Sequence, residues 1–169
     1  SAASDVYKRQ KNLKSTGGAT ELRENIPSQD AAAVASIRRE GAIVMGKTNL
    51  PRWSGDIQAY NDIFGTTNNP WDISRGPGGS SGGAAAAVAM GFTSFEIGTD
   101  IGGSIRFPAA FNGVWGHKPS FGVIPTTGYL DHVDGGLNEA DINVFGPITR
   151  SAEDLELLLK VMKRNSPPW

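Results

Sequence analysis

The pattern of apolar and polar positions along the chain predicts helices that alternate with short strands. Residues 28–40, SQDAAAVASIRRE, have the period of a helix, with Ser28 as its N-cap. The apolar run AIVM at 42–45 is typical of a short buried strand. The alanine-rich segment at 80–91 favours a second helix, and the alternation of FTSFEIG at 92–98 favours a second strand.

The segment SAEDLELLLKVMKR at 151–164 has the clearest helical pattern. Ser151 and Asp154 have the spacing of a capping box. The apolar face of this helix consists of Leu155, Leu158, Leu159 and Met162. Helices and short strands in alternation predict an α/β layered fold, and 169 residues are enough for one sizeable core.

Charge and cysteine content remove several classes of function. The 16 Lys and Arg residues are balanced by 17 Asp and Glu residues without a basic stripe, which argues against a nucleic-acid partner. The chain has no cysteine, so disulfides, thiol nucleophiles and thiolate metal sites are excluded. Neither a secretory signal nor a membrane span is evident, because glycines interrupt the longest weakly charged stretch, 76–96. A cytoplasmic protein is the default expectation.

The residues GAIVMGKT at 41–48 fit the phosphate-binding pattern G-x-x-x-x-G-K-[ST]. In a phosphate loop the strand comes first, and the four residues between the glycines wrap around the phosphates. Here those four residues are the predicted strand itself, a helix precedes them, and Pro51 follows closely. A nucleotide-binding protein is therefore the least favoured hypothesis. Lys47 is expected at the C-terminal end of a buried strand, where active-site groups of open α/β sheets lie.

The residues GGSSG at 78–82 fit the G-x-S-x-G elbow that carries the serine of α/β-hydrolases. A predicted helix follows this segment, but RGP precedes it where the elbow needs a strand. A Ser-His-Asp triad also needs a histidine. The chain offers only His117, beside a proline turn, and His132, in an acidic loop, so a histidine-based triad is disfavoured.

A third glycine-rich segment, GTDIGGSIRFPAA at 98–110, predicts a tight turn. The backbone N–H groups of Ile101, Gly102 and Gly103 lead into Ser104. Because glycine puts no side chain over such a turn, these N–H groups can converge on one oxygen, as an oxyanion hole requires. Taken alone, the segment fits a structural turn as well as a catalytic one.

The three motifs together point to one family. GKTN at 46–49, GGSSGG at 78–83 and GTDIGGSIRFPA at 98–109 follow one another in this order, with a spacing of 24 residues from Ser80 to Ser104. The chain resembles the amidase signature family in these motifs, and the resemblance extends from about residue 15 to residue 163. It implies an α/β fold with a mixed β-sheet core that is flanked by helices.

The resemblance implies a catalytic triad of two serines and a lysine. Ser104 would be the nucleophile, Ser80 the bridging serine after a cis peptide bond from Gly79, and Lys47 the base. Ser81 would support the lysine by a hydrogen bond, and the oxyanion would bind the N–H groups of Ile101, Gly102, Gly103 and Ser104. Lysine has a reference pKa of about 10.4, so it can act as a base at neutral pH only where burial lowers its pKa.

Other polar and aromatic residues are expected to have structural roles. Arg106 is expected to anchor the glycine turn through the backbone or through Asp100. The tryptophans Trp53, Trp71 and Trp115 are expected to pack. The loop carboxylates Asp131, Asp134 and Asp141 are too dispersed for a metal site and are expected to be solvated. No cofactor is expected.

The extent of the resemblance sets the domain organisation that we expect. Residues 1–10 resemble translated adapter sequence and are predicted to be a non-native or disordered leader. Residues 11–169 are predicted to be a partial amidase domain, truncated at both ends, because family members are longer and have a further strand beside the lysine strand. The isolated chain is therefore expected to fold poorly and to be inactive.

The function that the motifs favour is hydrolysis of an amide C–N bond through an acyl-enzyme on Ser104. The partner expected is a small-molecule amide substrate, and the resemblance allows a homodimer of the full-length protein. The alternative is a non-catalytic subunit or an inactive fragment that keeps the amidase fold.

Overall fold

The computed structural model describes residues 2–5, 8, 10–129, 139 and 141–165. Its helices are α1 (Ala32–Arg39), α2 (Gly82–Ala89), α3 (Arg106–Asn112) and α4 (Ala152–Met162). Its strands are β1 (Ala2–Asp5), β2 (Val44–Thr48), β3 (Tyr60–Asn61), β4 (Gly65–Thr66), β5 (Phe95–Asp100), β6 (Trp115–Gly116) and β7 (Val144–Thr149). Short 3-10 turns lie at Thr20–Leu22 and Arg52–Ser54.

Five of the strands form one mixed sheet in the order β2-β1-β5-β7-β6. Strand β1 pairs in parallel with both β2 and β5, and β7 pairs antiparallel with β5 and β6. Strands β3 and β4 form a separate antiparallel hairpin. The mixed β-sheet with flanking helices confirms the fold class expected from the sequence.

The helices cover the two faces of this sheet. One core cluster contains Ile37 of α1, Leu158 and Met162 of α4, and Phe145 of β7. A second cluster contains three residues of α2 and Ile148 of β7. Phe145 and Ile148 differ in parity along one strand, and their side chains therefore project to opposite faces. Helices α1 and α4 thus cover one face, and α2 covers the face that carries the glycine-rich motifs.

The first helix starts later than the sequence predicted. It begins at Ala32 with Ala31 as N-cap and without a side-chain capping bond, so the assignment of Ser28 as cap is wrong. The carboxylate of Asp30 lies nearby, where it accepts a hydrogen bond from the Lys11 N–H at 2.7 Å and pairs with Arg38 at 3.2 Å. These contacts fix the chain just before the helix.

The two predicted strands lie a few residues further along the chain than expected. The strand predicted at 42–45 is β2, which ends at Thr48 and forms an edge of the sheet. None of its five residues is buried, and Met45 is 59% exposed, so the prediction of a buried strand is wrong. The strand predicted at 92–98 is β5, whose last residue is Asp100.

The segment after the glycine turn forms α3, which was not predicted from the sequence. Pro108 is the third residue of this helix. Proline is tolerated in a first helical turn because its missing N–H has no partner within the helix there. Helix α4 was predicted correctly, and Ser151 caps it by accepting the Asp154 N–H at 3.1 Å.

Part of the segment expected to be a disordered leader lies within the sheet. Residues 2–5 form β1, in which Ser4 is in register with Lys47 of β2. These residues pair with both β2 and β5. The assignment of residues 1–10 as a non-native or disordered leader stays a prediction. The boundary proposed at residue 11 stays a prediction.

Within the described ranges, no helix combines the length and the apolar character that a membrane crossing requires. The same residues contain no group of three or more His, Asp or Glu side chains that could hold a metal ion. Asp141 is exposed, as expected. His132, Asp131 and Asp134 lie outside the described residues.

Candidate active site

The glycine turn that carries Ser104 joins the end of β5 to the start of α3. Gly103 has a φ of +124°, and a Cβ at this position would lie 2.7 Å from the ring carbon Cδ2 of Phe107. Only glycine fits both the backbone conformation and the close ring. The turn therefore presents Ser104, which is half-buried, two residues before α3 begins.

The carboxylate of Asp100 organises this turn. It is fully buried and accepts the N–H groups of Gly103 at 2.8 Å and Ile105 at 3.1 Å. The guanidinium of Arg106 binds the same carboxylate through Nε at 3.1 Å and Nη2 at 2.9 Å. The predicted anchoring of the turn by Arg106 is confirmed.

Two opposing effects set the pKa of Asp100. Burial raises the pKa of this carboxyl, but the hydrogen bonds from Arg106 and from the N–H groups of Ile105 and Gly103 lower it by more. The net pKa is below the ordinary value of 3.8, so the side chain is a carboxylate at neutral pH. The same contact raises the pKa of Arg106.

These contacts change the predicted set of oxyanion donors. The N–H of Gly103 donates to the carboxylate of Asp100 and is therefore already used in this conformation. Its role as an oxyanion donor stays a prediction. The N–H groups of Ile101, Gly102 and Ser104 have no hydrogen-bond partner among the described residues. They are the donors that remain available at this turn.

Ser80 and Ser81 lie immediately before α2, the helix that covers the face of the sheet with the glycine-rich motifs. The Gly79–Ser80 peptide bond is cis, as the family resemblance implied. Ser80 is fully buried, and within the described part of the chain its Oγ has no hydrogen-bond partner. The Ser81 N–H donates to the carbonyl of Ser104 at 3.1 Å, which joins the two serine-bearing segments directly.

The side chain of Ser81 points toward β5. Its Oγ accepts the N–H of Thr99 at 3.2 Å. A Cβ on Gly98 would lie 2.9 Å from the same oxygen, so the strand can approach α2 this closely only with glycine there. Ser81 thus holds the start of α2 against the strand that leads to Ser104.

The start of α2 also contacts the chain just after Lys47. The Gly83 N–H donates to the carbonyl of Asn49 at 3.1 Å, and a Cβ on Gly83 would lie 2.5 Å from the Asn49 nitrogen. Asn49 follows Lys47 by two residues. The N-terminal end of α2 is therefore in contact with both strands that lead to the predicted triad.

Lys47 itself lies inside the edge strand β2, one residue before its end. It is half-buried, and its Nζ donates to the carbonyl of Lys8. Because the Ser80 Oγ has no partner among the described residues, the lysine amine and this hydroxyl are not hydrogen-bonded to each other. The backbone brings the three motifs together, while the side chains do not form one continuous hydrogen-bonded chain.

The sequence analysis did not identify Asn112, whose buried side-chain amide contacts the segment before Ser80. Asn112 is fully buried at the end of α3, and its Nδ2 donates to the carbonyls of Pro77 and Pro108, both at 2.7 Å. The one signal for it is a polar residue in the apolar run RFPAAFNG.

Trp71, which was expected to pack, is exposed, and its indole N–H donates to the Asn112 carbonyl at 2.8 Å.

The other two tryptophans that were expected to pack, Trp53 and Trp115, differ from each other. Trp53 packs against Leu22 and Leu50, as expected, whereas Trp115 is 55% exposed. His117 is half-buried, and its backbone N–H donates to the Pro147 carbonyl at 3.0 Å. This backbone contact belongs to the β6–β7 edge of the sheet.

An open cavity of about 510 Å³ lies between the segment before Ser80, at Gly76, and the end of α3, at Phe111. Its lining consists of Gln58, Asn69, Trp71, Asp72, Arg75, Gly76 and Phe111. None of the three residues of the predicted triad lines this cavity.

Comparison with protein families gives a match over nearly the whole chain. The family model described as amidase matches residues 8–169. A glutamyl-tRNA(Gln) amidotransferase subunit of Sulfolobus acidocaldarius is 41% identical over 150 residues, which are 89% of this chain and 30% of that protein.

Solved structures share the fold as well. The crystal structure of the corresponding glutamyl-tRNA(Gln) amidotransferase subunit from Thermotoga maritima superposes with a TM-score of 0.86 and 31% identity, over 98% of this chain and 35% of that one. The native peptide amidase of Stenotrophomonas maltophilia superposes with a TM-score of 0.85 and 32% identity, over 98% and 34% of the two chains. The chain thus spans about a third of the length of the relatives it matches.

Proposed function

Because the chain belongs to the amidase family, we propose that it carries the machinery for hydrolysis of an amide C–N bond, with Ser104, Ser80 and Lys47 as the catalytic residues. The observation that carries this proposal is the backbone contact between the motifs. The Ser81 N–H binds the Ser104 carbonyl, and the Gly83 N–H binds the Asn49 carbonyl. Three segments that are distant in sequence thus meet around the first turn of α2.

In the proposed reaction, the Oγ of Ser104 attacks the amide carbonyl and gives its proton to the Oγ of Ser80. Ser80 passes its own proton to the uncharged amine of Lys47. The proton returns by the same route to the leaving nitrogen, the C–N bond breaks, and an acyl-enzyme remains on Ser104. Water then attacks the acyl carbonyl, and its proton passes through Ser80 to Lys47. The proton returns to the Oγ of Ser104 as the bond between this oxygen and the acyl carbon breaks, which releases the carboxylic acid and restores the serine.

Two features of the site support these roles. The N–H groups of Ile101, Gly102 and Ser104, which have no partner among the described residues, can hold the oxyanion that forms in each step. The buried hydroxyl of Ser80 has an unused hydrogen-bonding capacity among the same residues, as a proton relay requires. The relay also requires the Nζ of Lys47 to turn from the Lys8 carbonyl toward Ser80.

A fluorophosphonate probe tests the nucleophile, because it reacts covalently with an activated serine. The complete translation product of the gene is incubated with the probe, and the labelled peptide is identified by mass spectrometry. We expect the label on Ser104 and its loss in Ser104→Ala. Ser74→Ala is the matched control, because Ser74 is exposed and its hydroxyl binds Asp72 at 2.6 Å. A label that persists in Ser104→Ala contradicts the proposal.

The substrate that we propose is a small-molecule amide. A second candidate function is that of a glutamyl-tRNA(Gln) amidotransferase subunit, which the 41% identity to a protein of that name favours. A panel of peptide amides, aryl amides and free glutamine, assayed for the released amine, separates the two. Turnover of several amides by the protein alone supports a free-standing amidase, whereas turnover of glutamine only, and only with partner proteins, supports the second candidate.

A further inference from the structure

The side-chain amide of Asn112 joins the two serine-bearing segments at a second point. Helix α3 begins two residues after Ser104, and Asn112 is its last residue. The Nδ2 of Asn112 donates to the carbonyl of Pro108, within the helix, and to the carbonyl of Pro77, both at 2.7 Å. Pro77 precedes Ser80 by three residues. One buried amide therefore connects the helix of the nucleophile to the loop of the bridging serine.

We propose that Asn112 is a positioning residue that fixes Ser80 relative to Ser104. The proposal rests on the catalytic roles given above to these two serines. Both N–H groups of the amide are used, and the side chain is fully buried, so its two bonds are shielded from competing water. Asparagine fits this place because it offers two donors on one short, planar group.

Neighbouring contacts show that the loop lies firmly on the end of α3. The indole N–H of Trp71 binds the carbonyl of Asn112 at 2.8 Å, and the Nδ2 of Asn69 binds the carbonyl of Phe111 at 2.9 Å. A Cβ on Gly78 would lie 3.0 Å from the Cα of Pro108. These contacts remain when the Asn112 amide is removed, so we expect its loss to shift the loop without detaching it.

The expected kinetic effect follows from the geometry. Loss of the Asn112 amide leaves the Pro77 carbonyl without its donor and allows the loop before Ser80 to move. A displacement of about 1 Å at a reacting group can slow a reaction about 100-fold. We expect Asn112→Ala to slow fluorophosphonate labelling of Ser104 by about 10- to 100-fold. Asn112→Leu should be at least as slow, since it nearly keeps the shape and removes both donors, whereas a space-filling role predicts near-normal labelling.

A double-mutant cycle separates positioning from a general loss of stability. If Asn112 acts through Ser80, Asn112→Ala adds nothing to Ser80→Ala, and the double variant labels at the rate of Ser80→Ala alone. Asn25→Ala is the matched control, because it removes an amide that donates to the Ser15 carbonyl at 2.9 Å, far along the chain from both serines. We expect the control to label normally. Asn112→Ser, which keeps one donor, provides a milder variant if Asn112→Ala does not fold.

The outcomes distinguish this inference from the proposed function. A labelled Ser104 together with additive effects of Asn112→Ala and Ser80→Ala overturns the positioning role and leaves the nucleophile assignment intact. Normal labelling in both Asn112→Leu and Asn112→Ser overturns it as well. An unmodified protein that takes no label at Ser104 contradicts the proposed function, and the positioning role falls with it.

Discussion

The two strands that carry the candidate site differ in how completely the chain encloses them. In β5, which leads to Ser104, five of the six residues are buried, and α2 packs against the strand. In β2, which carries Lys47, none of the five residues is buried. We call the first region, β5 with α2, α3 and the glycine turn that carries Ser104, the serine side, and we call β2 the lysine edge.

The difference shows that this chain determines the geometry of its serines more completely than that of its lysine. On the serine side, backbone and side-chain hydrogen bonds hold Asp100, Ser81 and Asn112 in place. On the lysine edge, the amine of Lys47 binds a backbone carbonyl, and the apolar side chain of Met45 faces solvent. Substitutions on the serine side or on the lysine edge, each compared with a control substitution at another residue, can test this contrast.

The largest effect is expected for Lys47, the base of the proposed triad. Lys47→Ala should slow the labelling of Ser104 by about 1,000-fold, because a serine hydroxyl is a weak nucleophile without a base. The rate of fluorophosphonate labelling measures this effect, with Lys14→Ala as the control. Lys14 is exposed and pairs with Glu24 at 2.7 Å. Unchanged labelling in Lys47→Ala would show that the lysine edge takes no part in the chemistry.

The next largest effect concerns two strand glycines that differ in their surroundings. A Cβ on Gly98 would meet the side chain of Ile105 at 2.8 Å, so Gly98→Ala should lower the free energy of unfolding by about 3 kcal/mol. Nothing lies within 4 Å of a Cβ on Gly46, so Gly46→Ala should change it by about 0.5 kcal/mol or less. Urea unfolding of the two variants measures both values. Equal losses would contradict the contrast between the two sides.

The carboxylate of Asp100 makes the free energy of unfolding depend on pH. Its pKa is lowered in the folded chain, so the carboxylate stabilises the fold above the unfolded value of 3.8, and this contribution is lost as the pH falls through the folded value. Asp100→Asn should lower the free energy of unfolding by about 2 kcal/mol at pH 7. The gap to the unmodified protein should narrow below pH 3.8, as urea unfolding at several pH values can measure.

The matched control for this prediction is Asp141→Asn, because Asp141 is exposed and lies outside the glycine turn. We expect its stability to follow that of the unmodified protein at each pH. A gap between Asp100→Asn and the unmodified protein that stays constant to the lowest pH would contradict the role of the Asp100 charge.

The smallest loss expected outside the control variants concerns α4, which belongs to neither the serine side nor the lysine edge. Ser151→Ala removes the side-chain cap of α4 and should lower the free energy of unfolding by about 1 kcal/mol. Ser151→Asn, which restores a capping oxygen, should recover most of the loss. A loss in Ser151→Ala as large as that in Gly98→Ala would contradict this ranking of the cap below the close packing around Gly98.

The parts of the fold that the sequence predicts well depend on local signals. Helix α4 has its cap and its apolar face within one short segment, and α2 has a run of alanines. Strand β7 carries no such signal, because Gly146 and Pro147 are both disfavoured in strands. Its glycine is required by a tertiary contact, since a Cβ there would overlap the carbonyl of His117.

In the candidate site, too, local sequence motifs predict some features, whereas others depend on contacts between distant segments. The motifs and their order identify the family, and with it the candidate residues Lys47, Ser80 and Ser104. The use of the Gly103 N–H by Asp100 and the two bonds of Asn112 depend on segments that meet only in the folded chain. A sequence pattern contains no distances, so it cannot assign these partners.

The hydrogen bond from the Ser81 N–H to the Ser104 carbonyl has a consequence for how the protein can change over time. Both atoms belong to the main chain, so ordinary side-chain replacements cannot delete this bond; of the standard residues only proline lacks the donor. Side chains around the candidate site can therefore diversify while the two hydroxyl-bearing segments keep their mutual spacing.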